Sequence, residues 1–162
     1  MYQRTGALWE NRIIVDAKWS GAFIQKVPEH MKKNYRSGEV YRVKSCFDFF
    51  GSMNGDAFYF DAKSVGTGTF NLNTWLKHYK HQYALLLEAA HKKAVAGLLI
   101  WYYKKEQIEF VDIKQIKRFI DQGKKSLKPS DGQYIIPDNE RIDFKTMTDI
   151  LKVQRYDILQ GR

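Results

Sequence analysis

An α/β domain built around a mixed β-sheet is the fold class that the sequence predicts, and three observations carry it. Segments of helical period and of strand character alternate in the order helix, strand, arm, strand, strand, helix, strand, strand, helix, helix. The hairpin-turn pair Asn54-Gly55 and the continuous apolar run at 98–103 mark the strands most clearly. The 162 residues are 44% hydrophobic and 15% aromatic, enough for one core and too few for a second domain of ordinary size.

The first helix is expected over 5–20, with Thr5 as its N-cap and Gly21 ending it in a left-handed conformation. A 3.6-residue period puts Glu10, Ile13, Ile14 and Ala17 on one face, apolar except for the carboxylate. Residues 22–27 read as a strand. The segment 26–44 then changes character. Lys26, Lys32, Lys33, Arg36, Arg42 and Lys44 meet only Glu29 and Glu39, a net charge of +4, and Pro28 and Gly38 interrupt the run. This composition suits an arm inserted at about 28–40 that projects from the sheet, followed by a short strand at 40–44. Residues 47–50 and 57–63 flank the Asn54-Gly55 turn as a hairpin. After a glycine-rich loop at 67–70, Asn73 caps a helix running to about Lys93. Its inner side carries Trp75, Tyr79, Gln82, Tyr83, Leu86 and Ala90. Gly97 stops the chain ahead of a buried strand at 98–103, and a turn at 104–106 leads to a strand at 107–112. A helix at 113–122 stops at Gly123. A polar loop holding Pro129, Gly132 and Pro137 leads to the last helix, about 144–153.

Lys and Arg number 27 against 18 Asp and Glu, a net charge of +9. A small domain this basic meets a polyanion, nucleic acid ahead of an anionic membrane. The single Cys46 excludes an internal disulfide framework and a multi-thiolate zinc site, and fits a reducing compartment. No apolar run approaches the ~18–20 residues of a membrane span. The polar start MYQRTGALWENR is not a secretory signal. A cytoplasmic protein with no membrane partner and no organic cofactor is expected.

The chemistry concentrates in the strand AFYFDAK. Side chains alternate there, so Phe58, Phe60 and Ala62 share one face while Tyr59, Asp61 and Lys63 share the other. With Asn54-Gly55 as the two turn residues, Asp48 comes directly opposite Asp61, at a Cβ separation of ~5 Å. Two facing carboxylates beside an ammonium repel each other at a cost to folding. They make sense around a divalent cation, and hard oxygen ligands select Mg²⁺, with Mn²⁺ as a substitute. A solvated face of mutually balancing charges is the plainer alternative.

Asp48 followed by Asp61-Ala62-Lys63 resembles the D…(D/E)-x-K signature of the PD-(D/E)xK nuclease superfamily. Gly6-x-x-x-Glu10, FDFFG, YFDAKS, His81-Gln82 and the late stretch ERIDFKTMTDIL together resemble RecU-type Holliday junction resolvases, in consistent order over most of the chain. The resemblance implies a restriction-endonuclease-like core that resolves four-way DNA junctions with Mg²⁺. It implies that Asp48 and Asp61 bind the metal, and that Lys63 orients or activates the attacking water and stabilises charge on the phosphate. Glu10 would be the helix-borne acidic member of the site and a further metal ligand, with Gln82 near it. The basic segment, with Lys26, Lys32, Lys33, Arg36, Arg42 and Lys44 as its DNA contacts, takes the place of a stalk entering the junction. A homodimer in a bacterial or phage-infected cytoplasm follows. Two departures stand out: Phe47 where the superfamily name places Pro, and Asp61 in place of the Glu usual in close relatives.

Weaker signals have plainer readings. Gly66-Thr67-Gly68 lacks a Walker lysine and reads as a loop. His78 and His81 lack Cys or His partners elsewhere in the sequence, and Ser64 either assists the site or ends its strand. Lys124, Lys125 and Lys128 read as a solvated loop face, and 100–103 as core. Cys46, just before a buried strand, is not expected to act as a nucleophile. The rival functions are another nuclease of the superfamily, acting on flaps, ends or duplex DNA, and a non-catalytic DNA-binding protein.

Overall fold

The computed structural model describes residues 2–43 and 45–159, with side chains over 5–43 and 45–154. Helix α1 (Tyr2–Ser20) leads into β1 (Phe23–Lys26), and a separate hairpin follows, β2 (His30–Lys33) paired with β3 (Val40–Val43). Next come β4 (Phe49–Met53), β5 (Asp56–Val65), the short β6 (Phe70–Asn71), and α2 (Leu72–His91). Then follow β7 (Val95–Tyr102), β8 (Gln107–Asp112), α3 (Ile113–Asp121), β9 (Ser126–Leu127), β10 (Tyr134–Pro137) and α4 (Phe144–Leu159). The main sheet has the order β1-β4-β5-β7-β8-β10. All its pairs are antiparallel except β5 with β7, which are parallel and joined across α2. The sheet is mixed, as expected. No helix among the described residues is long and apolar enough to cross a membrane.

Alternation along the strands sends side chains into two cores. Phe49, Phe58, Phe60, Leu99, Ile108 and Phe110 pack with Trp9, Ile13 and Ala17 of α1 and with Phe144, Met147 and Leu151 of α4. On the opposite face, Ala96, Leu98, Ile100, Tyr102 and Val111 pack with Leu72, Trp75, Leu86 and Ala90 of α2 and with Ile113 and Ile116 of α3. Helices cover both faces, so β7 is apolar along its length and buried except at Trp101, and β8 is buried beyond Gln107, enclosing Glu109 and Asp112 as well.

Several sequence expectations need correction. Thr5 lies inside α1, which begins at Tyr2. The buried stripe of α1 is Trp9, Ile13, Asp16 and Ala17, with Glu10 and Ile14 at its margin. Buried Asp16 is tolerated because its carboxylate pairs with Arg12 and accepts from the Ile142 N–H. Asn71, not Asn73, caps α2, its side chain accepting from Thr74 N–H at 2.8 Å. Gly97 lies within β7, where the chain passes so close to β8 that a Cβ would sit 2.2 Å from the Val111 carbonyl oxygen. The polar loop holds an edge strand, β10, ending in Pro137 where no ladder donor is needed. Two further short strands, β6 and β9, pair outside the main sheet, and α4 runs on to Leu159. Within 100–103, Ile100 and Tyr102 are buried, but Trp101 and Tyr103 are only partly so.

Candidate active site

The β4–β5 ladder pairs Phe49 with Phe60 and Met53 with Asp56 around a turn whose residues Asn54 and Gly55 both have positive φ, 50° and 85°. This is the register that puts Asp48 opposite Asp61, one step beyond the last ladder pair. The two residues are tied reciprocally. Asp48 N–H donates to Asp61 Oδ1 at 3.0 Å, and Ala62 N–H donates to Asp48 Oδ2 at 2.9 Å. Lys63 follows on the same face, with its ammonium 3.4 Å from Asp61 Oδ2 and 3.7 Å from Asp48 Oδ2. Three site residues therefore come together through one local hairpin.

Burial sets their electrostatics. Asp61 is fully buried. Desolvation pushes its carboxyl up to about 6; Lys63 pulls it down by less, and the Asp48 charge raises it further. Burial alone would lower the Lys63 pKa, but Asp61 and Asp48 outweigh it and the ammonium is held above its ordinary value. A lysine so held is a cation at neutral pH and has no lone pair with which to take a proton from water. Asp61 Oδ2 is buried and faces only the Lys63 ammonium among the described residues, at 3.4 Å. Two carboxylates sharing one ammonium, one of them fully buried, fit a divalent cation, since Mg²⁺ takes one or two protein carboxylates and fills its remaining positions with water and phosphate oxygens.

The other expected site residues are placed differently. Glu10 comes from α1, and Lys26 at the end of β1 donates to its Oε2 at 2.6 Å; the same ammonium also feels the Asp48 charge. Among the described residues no group of three or more His, Cys, Asp or Glu side chains is gathered around one point, so Glu10 does not join the two aspartates, nor do His78 and His81 form a metal site. Gln82 is buried on α2. Its Nε2 donates to the Ser45 carbonyl at 3.5 Å, three residues before Asp48, and its Oε1 has no partner among the described residues. A His81 ring nitrogen lies 3.3 Å from the same carbonyl. Cys46, between Ser45 and the site, is exposed. One neighbour was not expected: the Tyr79 ring, whose centroid lies 5.3 Å from the Lys63 ammonium. Sequence spacing assigns Tyr79 to the inner side of α2, and the sole hint of its role is a polar-tipped aromatic one turn before Gln82.

The basic segment is a β-hairpin, β2–β3, whose side chains are nearly all exposed. Asn34 closes its turn by accepting from Arg36 and Ser37 N–H groups, with Gly38 at φ 73°. Lys32 lies opposite Tyr41 and Lys33 opposite Val40, and Tyr35 at the tip is 96% exposed. Lys32, Lys33 and Arg36 form no ion pair with described residues, whereas Arg42 pairs with Glu29 at 3.0 Å and Lys26 with Glu10. Lys44 lies outside the described residues. The hairpin's root is bonded to the site, because Val27 N–H donates to the Asp48 carbonyl at 2.8 Å. Elsewhere, Lys124 pairs with Asp131 and lies over Phe119, in keeping with a packed loop. Gly66 packs beneath the Tyr103 hydroxyl.

A family model described as RecU, recombination protein U, matches residues 16–153 of this chain. Among solved structures, the fold is similar to that of Archaeoglobus fulgidus Hjc, described as a Holliday junction resolvase from an archaeal hyperthermophile. The TM-score is 0.53 at 13% sequence identity, covering 78% of this chain and 90% of that one. The likeness shows a restriction-endonuclease-like fold. No curated protein matches.

Proposed function

The chain belongs to the RecU family of Holliday junction resolvases, and on that premise we propose that it is a metal-dependent, structure-selective endonuclease that cuts four-way DNA junctions by phosphodiester hydrolysis. The observation that carries the reading is the cluster of Asp48, Asp61 and Lys63, in which two carboxylates, one of them fully buried, share a single ammonium. A charge pattern that only covered a surface would not bury Asp61 beside a second carboxylate with one ammonium between them.

Asp48 and Asp61 hold the Mg²⁺, for which Mn²⁺ substitutes. A divalent cation there supplies neutralisation of the scissile phosphate and acidification of the attacking water. The backbone bonds from Asp48 N–H and Ala62 N–H fix both carboxylates without side-chain freedom. Lys63, held as an ammonium, stabilises the charge that grows on the phosphate. Gln82 offers a buried, unused acceptor from the α2 side, and Glu10 enters the site only by giving up Lys26. The β2–β3 hairpin is the stalk, with Lys32, Lys33 and Arg36 set to meet phosphates. A junction has approximate two-fold symmetry and needs two cuts, so the working unit is a homodimer in the cytoplasm.

The test is a cleavage panel of mobile four-way junction, flap, duplex and single-stranded DNA, each with Mg²⁺ and with EDTA. We expect paired, symmetric, Mg²⁺-dependent cuts on the junction. Asp48→Asn and Asp61→Asn should each abolish cutting with junction affinity nearly unchanged, because affinity comes mainly from basic contacts. Preferential cutting of flaps or duplex would transfer the protein to another nuclease class. Binding without cutting under any condition would leave a DNA-binding protein.

A further inference from the structure

The stripe of α2 that faces the sheet runs through Leu72, Trp75, Gln82, Leu86 and Ala90. Helical spacing puts Tyr79 on the same stripe, one turn after Trp75 and one before Gln82, yet the residue is 37% exposed. Two features account for this. The backbone at Tyr79 leaves the helical region, at φ −131° and ψ 31°, so α2 is kinked there. Beneath the ring lies the Lys63 ammonium instead of apolar sheet. Neither Pro nor Gly stands near Tyr79 to cause the kink, and helix irregularities of this sort concentrate at functional positions. The fold gives up regular helix where doing so sets an aromatic face on the Lys63 ammonium.

We propose that Tyr79 is a positioning residue for Lys63, its ring face giving the ammonium a hold independent of the two carboxylates. The proposal rests on the nuclease reading. Without the ring, the described residues that hold Lys63 are Asp48 and Asp61, whose attraction for the lysine weakens once their charge is engaged by a divalent cation. Attraction to the ring quadrupole is not consumed in that way, so the cation stays where the phosphate must arrive.

The test compares wild type, Tyr79→Phe and Tyr79→Leu in Mg²⁺-dependent cleavage of a four-way junction. NMR of protein carrying isotope-labelled lysine is recorded alongside, with and without Mg²⁺. Tyr79→Leu should lower kcat about tenfold, equivalent to ~1.4 kcal/mol, with KM and junction affinity unchanged. Tyr79→Phe keeps the ring face and should stay within about twofold of wild type. The Lys63 methylene protons should show a ring-current displacement in wild type and Tyr79→Phe that is absent in Tyr79→Leu. Unchanged kcat in Tyr79→Leu overturns the proposal. So does a Tyr79→Phe enzyme as slow as Tyr79→Leu, which would transfer the role to the hydroxyl. A rise in KM alone would make the ring a DNA contact, and a missing ring-current displacement would remove the contact itself. If the wild type cuts no DNA while the displacement is present, it is the nuclease reading that fails, and the positioning role falls with it.

Discussion

Asp61 carries opposed demands at the scale of a single residue. Its carboxyl is pushed up to about 6, first by desolvation, against an ordinary value of 3.8. An acid whose folded pKa is raised favours the folded state fully below pH ~4, and that contribution is lost as pH rises through about 6. The metal-free protein, in EDTA, should therefore lose melting temperature between pH 4 and pH 6, and Asp61→Asn should flatten that slope and melt higher than wild type at pH 7. Mg²⁺ should raise the melting point of wild type and leave Asp61→Asn unmoved. A slope identical in the two proteins would show that the buried charge is not the cause. Lys63→Ala should abolish cutting while Mg²⁺ binding, read by calorimetry, survives; loss of metal from a folded Lys63→Ala protein would make the lysine structural. Asp48, Asp61 and Lys63 were legible in the sequence because an Asn-Gly turn fixes hairpin register, and register alone sets which side chains meet. The ion pair of Glu10 with Lys26 and the approach of Tyr79 to Lys63 join separate elements through tertiary packing and a helix kink, which no local pattern encodes.

Elements with strong periodicity were equally legible, and the rest were not, for identifiable reasons. In β2, His-Met-Lys-Lys is exposed on both faces, so it lacks the apolar alternation by which a half-buried strand is recognised. β6 and β9 are two residues each, and β10 sits among Pro and Gly that mark loops. The exposed hairpin is nonetheless the element whose function is easiest to test. Replacing Lys32, Lys33 and Arg36 with Ala removes three charges that pair with no described residue, and should leave the melting point and Mg²⁺ affinity where they were. Junction affinity should fall, and the slope of log affinity against log salt should shrink by about 0.9 for each phosphate no longer neutralised. A stalk that enters the crossover predicts a larger drop in affinity for the junction than for duplex DNA. Equal drops would leave an ordinary electrostatic footprint, and no drop on either would move the DNA-binding surface elsewhere.

At the scale of the whole molecule, the main sheet joins two pairings that are near in sequence, β4 with β5 and β7 with β8, to three that are far. β4 and β5 meet across two turn residues, whereas the parallel pairing of β5 with β7 cannot form until α2 has crossed back over the sheet. The Asp48 and Asp61 pair is thus gathered by the cheapest loop closure of the main sheet, and the α2 side chains above it arrive with the longest one there. During refolding the aspartates and Lys63 should meet early, in a site still open to water, and the buried environment should come last. Gly55→Ala tests this order, because φ 85° suits glycine and strains alanine by about 1 kcal/mol. If the hairpin is part of the folding nucleus, the refolding arm of the chevron slows and the unfolding arm hardly moves. Faster unfolding at an unchanged refolding rate would place hairpin closure after the barrier. An early hairpin also means that a chain halted before α2 docks already holds its two carboxylates side by side, so divalent cations present during folding would bind a partly built protein and hasten its completion.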